Sequence, residues 1–263
     1  MKKETKEANR KPKKTLEFCD LCVFTSTKYW EDEISKIRYP LFLKMMENCK
    51  TLWIKLIIAD SSTNIDFLDN IHRIRNENIK VIKNDERLWK KRREALKDGI
   101  LDKNIKYFLW IEPEKYDLIK KDSLNNMVNE LRSWNFNIII PNRNNIDQMP
   151  DFFVQIEKKW NKKIKDDVLN SELEYDLWFW PKMFDRKWAK YFLKYNKESN
   201  KADLRDSQIL PVINAYKDWL KIQSVDTNFS YDKSEINIET ISKELKQKRE
   251  DQYHCIFSEI SKV

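Results

Sequence analysis

Glycine is almost absent from this chain: Gly99 is the only one in 263 residues. An average protein is about 7% glycine. A phosphate-binding P-loop needs two glycines and a G-x-G-x-x-G dinucleotide fingerprint needs three. A G-x-S-x-G nucleophile elbow needs two. None can be written here. Histidine is nearly as scarce, with only His72 and His254. The four cysteines, Cys19, Cys22, Cys49 and Cys255, include one C-x-x-C pair and no second. A four-ligand zinc site would have to be improvised from scattered residues. The pair also falls in an apparent strand, where positions three apart face opposite sides. We therefore read the cysteines as reduced thiols of a cytoplasmic protein. No apolar run approaches the ~18 residues of a membrane span, and the N-terminus lacks the apolar core of a signal peptide.

What is present describes a globular protein. Hydrophobic residues make up 41% and aromatic residues 13%, enough for a substantial core. Net charge is +8. The first 14 residues hold seven basic groups and two acids, a net +5 that leaves only +3 for the body. Residues 1–15 read as a basic, solvated tail. The near-neutral body argues against a nucleic-acid binder, whose affinity follows the phosphates it neutralises. Ten tryptophans keep that reading as a remote alternative.

Beyond the tail, apolar runs of strand length alternate with helical spacing. The strand-like runs are 21–27, 52–62, 79–85, 106–114 and 136–143. Helical texture lies at 39–49, 66–76, 88–100 and 123–134. The pattern predicts a mostly parallel sheet covered by helices on both faces. The second half is less regular: a helix near 152–165, an aromatic run at 176–195, a helix over 204–220, a strand at 220–231 and a charged helix at 235–260. No repeat or Gly/Pro-rich linker divides it, so residues 16–263 read as one domain.

In open parallel sheets, ligands sit at the carboxyl ends of the strands. Those ends carry Thr25, Ser26 and Thr27, then Asp60, Ser61 and Ser62, then Asn84 and Asp85, then Glu112 and Glu114, then Asn142 and Arg143. Any one of these residues is explained by turn formation. Five successive loaded ends suggest a site.

The order of these features resembles the nucleotide-sugar glycosyltransferases of the GT-A fold, over about residues 20–231. The segment "IIADSSTN" resembles the family's acidic turn after the second strand, without its glycine. "FLWIEPEKYDL" stands where the family has Asp-x-Asp and offers Glu112-Pro113-Glu114. "NIIIPNR" ends in Arg143, and "DLWFWPKMF" resembles the acceptor-side segment, with Trp180-Pro181 where many relatives have Gly-Pro. No histidine follows the last strand, where some metal-dependent relatives supply a ligand.

The resemblance implies a three-layer α/β domain of GT-A type that moves a sugar from a nucleotide-sugar donor to a hydroxyl acceptor. Thr25, Ser26, Thr27, Asp60, Lys91, Arg92, Glu112 and Glu114 would bind the donor. Glu112 and Glu114 would also hold a divalent cation, Mg²⁺ or Mn²⁺, to meet the diphosphate's developing charge. Arg143, Gln155, Glu157, Asn161, Trp178 and Trp180 would line the acceptor site. Asp206, which opens the helix before the last strand, would be the catalytic base, with Asp176 as a second acid. The altered acidic motif leaves a non-catalytic binding or scaffold protein as the alternative.

Overall fold

The computed structural model describes residues 17–85, 88–133, 135–172, 175–194, 209–241, 246–247, 249–251 and 253–254. The N-terminal tail, Asp206 and Cys255 lie outside them.

Strand β1 (Leu21–Thr27) is buried along its whole length and pairs in parallel with β2 (Lys55–Asp60) and with β4 (Tyr107–Trp110). Strand β3 (Ile79–Lys83) adds in parallel beside β2. On the other side, β6 (Lys182–Asp185) runs antiparallel between β4 and β5 (Ile138–Arg143), and β7 (Ile222–Thr227) closes that edge parallel to β5. The seven-stranded order is β3-β2-β1-β4-β6-β5-β7. The carboxyl ends of β1 to β5 therefore share one edge, as the sequence predicts. Antiparallel β6 was not foreseen: it is four residues inside an aromatic run, with no alternation long enough to read.

Alternation along the strands divides the core. Leu21 and Val23 of β1 join one layer with Phe42, Met45 and Met46 of α1 (Glu33–Thr51), Phe67 of α2 (Ile65–Ile74) and Met127 and Leu131 of α4 (Lys121–Arg132). Cys22 and Phe24 join the other layer with Leu96 of α3 (Leu88–Leu101), Trp160 of α5 (Asp151–Ile164), Phe192 of α6 (Ala189–Lys194) and Ile213 of α7 (Leu210–Lys217). Helix α8 (Lys233–Ile241) follows β7. Helix α1 begins six residues earlier than its apolar spacing suggests, because Asp32 caps it by accepting from the Ser35 amide at 2.6 Å.

Cys19 lies in the turn before β1 rather than in the strand and is exposed, whereas Cys22 and Cys49 are buried free thiols. Burial pushes both buried thiols well above their ordinary range. Among the described residues, no helix is long and apolar enough to cross a membrane.

Candidate functional site

The first half of the site grows from the β1 and β2 ends. Thr27 Oγ1 donates to Asp60 Oδ1 at 2.6 Å, and the same oxygen accepts from the Ser62 amide at 3.0 Å and the Ser62 hydroxyl at 2.6 Å. The Ser62 hydroxyl in turn accepts from the Tyr29 amide at 2.9 Å. Asp60 is thus fixed, nearly fully buried, by the turn that follows it. That turn needs no glycine. The described non-glycine residues with positive φ are Trp53, Asn170 and Trp219, and none lies in 60–64.

Lys91 reaches this edge from α3 and donates to Ser61 Oγ. Its pKa is lowered, first by burial and next by the neighbouring charge of Lys28, with Asp60 and Asp85 opposing. Two cations therefore share one rim of the sheet. Thr25 is spent within the sheet, donating to the Ile111 carbonyl at 2.7 Å, while the buried Ser26 hydroxyl has no partner among the described residues. Arg92 turns away from Lys91: its guanidinium stacks on Trp110 at 4.0 Å, on the face where Phe24 and Phe192 lie, and its charge acts on Glu112. It was expected beside Lys91, but consecutive helical residues point about 100° apart.

Tyr29 joins the first half to the second. Its buried hydroxyl finds no partner among the described residues. Its pKa is raised, first by burial and then by the charge of Glu114, with Asp60 and Glu235 further contributors and Arg38 opposing.

Past β4, Glu112, Glu114 and Lys115 meet α8. Lys115 Nζ donates to Glu235 Oε1, an ion pair with both side chains under 10% exposed. Burial pushes Glu235 up to about 7, against the pull of Lys115. Burial likewise raises Glu112. Burial would also raise Glu114, but Arg38, whose Nε lies 3.9 Å away, and then Lys115 outweigh it and hold that carboxyl low. Lys115 itself is held above its usual value despite burial, by Glu235 and Glu112.

A divalent cation fits this donor set poorly. Among the described residues, no three carboxylate, histidine or cysteine side chains converge as a metal cage. The acids are already answered by Arg38 and Lys115, which an ion would have to displace.

The second half centres on Arg143 at the end of β5. It donates to Asp176 through Nε at 2.7 Å and Nη2 at 2.8 Å, to Glu157 Oε2 at 2.5 Å, and to the Tyr231 hydroxyl. Asn161 Nδ2 donates to Asp176 Oδ1 at 3.2 Å, and Asn161 Oδ1 accepts from the Leu177 amide at 3.0 Å. The Phe179 amide adds a further bond to Asp176 Oδ1 at 3.2 Å. Burial alone would raise the Asp176 pKa, but Arg143 outweighs it and lowers it. Asp176 was expected as a second catalytic acid. Its oxygens are instead consumed as an anchor, a poor arrangement for taking a proton. Gln155 was expected in the same group but is exposed, because two residues along a helix is a rotation of about 200° from Glu157.

In front of Arg143 lies a small pocket, open to solvent, into which Glu112, Glu235, Arg143 and Glu157 converge. Aromatic side chains wall it, among them Phe153, Trp178, Phe179 and Trp180. Trp178 and Trp180 were expected here. Lys115 and Glu235 were not. The one signal for Glu235 is Asp232-x-x-Glu235, the spacing of a helix capping box. Asp232 does cap α8, accepting from the Ser234 amide at 3.1 Å and its hydroxyl at 2.6 Å, while the Glu235 carboxylate turns to Lys115.

No known family's sequence profile matches the chain, and no curated protein does. Solved structures do. A protein described as a nucleotide-diphospho-sugar transferase from Desulfovibrio desulfuricans G20 matches 92% of this chain and 97% of its own, with TM-score 0.51 and 10% identity. Glucosyl-3-phosphoglycerate synthase from Mycobacterium tuberculosis, in complex with Mn²⁺, UDP-glucose and glycerol 3-phosphate, matches 90% of this chain and 77% of its own, with TM-score 0.56 and 10% identity. The same synthase with phosphoglyceric acid matches 78% and 69%, with TM-score 0.51 and 11% identity. At this identity the likeness is one of architecture: the chain has the GT-A-like α/β fold of nucleotide-diphospho-sugar transferases.

Proposed function

We propose that this protein is a single-domain cytoplasmic glycosyltransferase that moves a sugar from a nucleotide-sugar donor to a hydroxyl acceptor. The observation that carries the reading is the continuity of the two halves. Asp60 and Lys91 form one end of the rim, the aromatic pocket forms the other, and Tyr29 lies between them under the charge of both. A donor and an acceptor must meet in this way for group transfer.

In this reading the nucleoside lies against Thr27 and Asp60. The diphosphate lies on the Asp60 side of Glu112 and Glu114, where Lys91 and Lys28 meet the charge that develops on the leaving group. The poor fit of the acids to a metal ion leaves this role to the chain's own cations. Arg143, Asp176, Glu157 and Asn161 form the buried frame behind the acceptor pocket. Asp206 remains our candidate for the base.

The charge-compensated acids also support a second reading, a GT-A-like protein that binds nucleotide sugars without turning them over. The test has two parts. A nucleotide sugar that binds only the folded chain must raise its melting temperature, so a panel of UDP-, GDP-, dTDP- and CMP-sugars should contain at least one stabiliser. Hydrolysis of that donor, or its transfer to an added acceptor, separates the enzyme from the binding protein. No stabilisation by any member of the panel would overturn both.

A further inference from the structure

We propose that the aromatic pocket binds an uncharged, hydroxyl-bearing ring and rejects phosphorylated or carboxylated acceptors, with Glu235 Oε2 and Trp178 Nε1 as its hydrogen-bonding anchors. The proposal rests on the transferase reading only in naming that ring the acceptor.

Among the pocket's buried polar atoms, Glu235 Oε2 and Trp178 Nε1 lack partners among the described residues. Glu235 is 97% buried; its Oε1 takes the Lys115 ammonium and its Oε2 takes nothing. The indole N–H of Trp178, also 97% buried, donates to nothing. Both residues line the same pocket. An unmet buried polar group carries a desolvation cost that a bound partner removes. One unmet atom is an acceptor and the other can only donate. A hydroxyl group does both, and a ring bearing several can serve both at once. The surrounding walls suit such a ligand: Trp178 packs edge-on against Tyr253 at 4.3 Å, and Phe153, Phe179 and Trp180 complete an apolar lining for the C–H faces of a ring.

Charge decides against an anion. Arg143 is answered by Asp176 and Glu157. Lys115 is answered by Glu235, with Glu112 as a further acid. Arg249, which also lines the pocket, acts on Glu112, Glu114 and Glu157. Each cation faces at least one acid already, and Glu235 presents an unmet carboxylate oxygen. A phosphate entering here would meet repulsion without an uncompensated cation in return. The mycobacterial synthase is described in complex with phosphoglyceric acid and glycerol 3-phosphate, and we expect neither kind of anion in this pocket.

The test uses the full chain without nucleotide. Saturation-transfer NMR is run with methyl β-glucoside, methyl α-mannoside and N-acetylglucosamine as neutral probes, and with 3-phosphoglycerate and glycerol 3-phosphate as anionic ones. At least one neutral probe should take up saturation through its ring C–H protons, and the anions should not. Glu235→Gln and Trp178→Phe should each weaken that probe by about tenfold. Trp178→Phe removes only the N–H and part of the ring, so it stands in if Glu235→Gln fails to fold. Binding of the anions in preference to the neutral rings, silence from every neutral probe, or full affinity in a folded variant would overturn the proposal. Stabilisation by nucleotide sugars is measured separately. If it fails while neutral rings bind, the transferase reading falls and the pocket assignment stands; the reverse result removes only the pocket assignment.

Discussion

Arg143 and Asp176, 33 residues apart, face each other through two nearly parallel hydrogen bonds of 2.7 and 2.8 Å, with the arginine side chain 1% exposed and the aspartate 9%. This pair ties the end of β5 to the segment that leads into β6. Removing one partner leaves a buried charge unanswered, which costs about 3–5 kcal/mol. Arg143→Met should therefore lower unfolding stability in urea by several kcal/mol. Arg143→Met combined with Asp176→Leu should recover part of the loss, because Glu157 still lacks its cation. A double variant as unstable as the two single changes added together would show that the residues act independently.

The single glycine stands where a Cβ would be crowded. A Cβ on Gly99 would meet Phe108 Cε1 at 3.1 Å, Cys22 Sγ at 3.2 Å and Ile57 Cδ1 at 3.3 Å. All three belong to the sheet beneath α3. Gly→Ala in a helix normally stabilises by ~1 kcal/mol, and overpacking costs ~1–3 kcal/mol. With three fully buried neighbours to displace, we expect Gly99→Ala to lower stability by ~1 kcal/mol, and Gly99→Val by more. An alanine variant that melts above the wild type would show that α3 can lift off the sheet without loss.

Elsewhere a glycine is missing where one would help. Trp219 follows α7 at φ 62°, the left-handed region in which helices commonly end on glycine, and is 92% exposed. A side chain there costs ~1–2 kcal/mol, while glycine gives back ~0.5–1 kcal/mol through a freer unfolded chain. Trp219→Gly should raise stability by ~0.5–1 kcal/mol. Thermal unfolding checks this directly, and a fall would mean that the exposed indole makes a contact worth more than the backbone relief.

The parallel strands were legible because burial on both faces writes continuous apolar runs, as in Leu21–Thr27 and Lys55–Asp60. The loaded strand ends followed from the same reading. The rest depended on partners distant in sequence. Glu235 looks like a surface acid of a charged helix until Lys115, 120 residues earlier, is placed beside it. Asp176 looks like a free acid before an aromatic run until Arg143 occupies both its oxygens. Strand β6 was hidden because Lys182, a charged residue in an apolar run, breaks the strand pattern, yet it is fully buried.

Lys182 gives the fold a pH signature. Burial lowers its pKa to about 7, although Asp176 pulls the other way. Its ammonium donates to the carbonyls of Phe179 and Pro181. In the unfolded chain an ordinary lysine stays protonated to about 10.4. Between those values the unfolded state binds the extra proton, so stability rises with pH. Lys182→Met loses the carbonyl contacts at every pH but removes this slope. Wild type should therefore gain on the variant as pH rises from 7 to 10, by up to about 1.4 kcal/mol per pH unit. Parallel stability curves over that range would mean that the folded protein keeps Lys182 charged.

At the edge formed by Asp60 and Lys91, two lysines stand close together. Burial and then the charge of Lys28 lower the affinity of Lys91 for its proton, and among the described residues Lys91 donates to Ser61 Oγ. An arriving diphosphate relieves that repulsion. Lys91→Met should weaken a nucleotide sugar by about 10–100-fold, the worth of a hydrogen bond to a charged group. Asp60→Asn should weaken it too, through the nucleoside, while Thr27 and Ser62 keep partners and the fold survives. Because Arg38 and Lys115 already answer Glu114 and Glu112, binding should persist in a chelator. Isothermal titration with UDP and UDP-sugars, in EDTA and then with Mn²⁺ or Mg²⁺ restored, reads all three effects. Binding that vanishes with the chelator and returns with the metal would show that an ion displaces those cations and that Glu112 and Glu114 hold it. Wild-type affinity in both Lys91→Met and Asp60→Asn would move the donor away from this edge altogether.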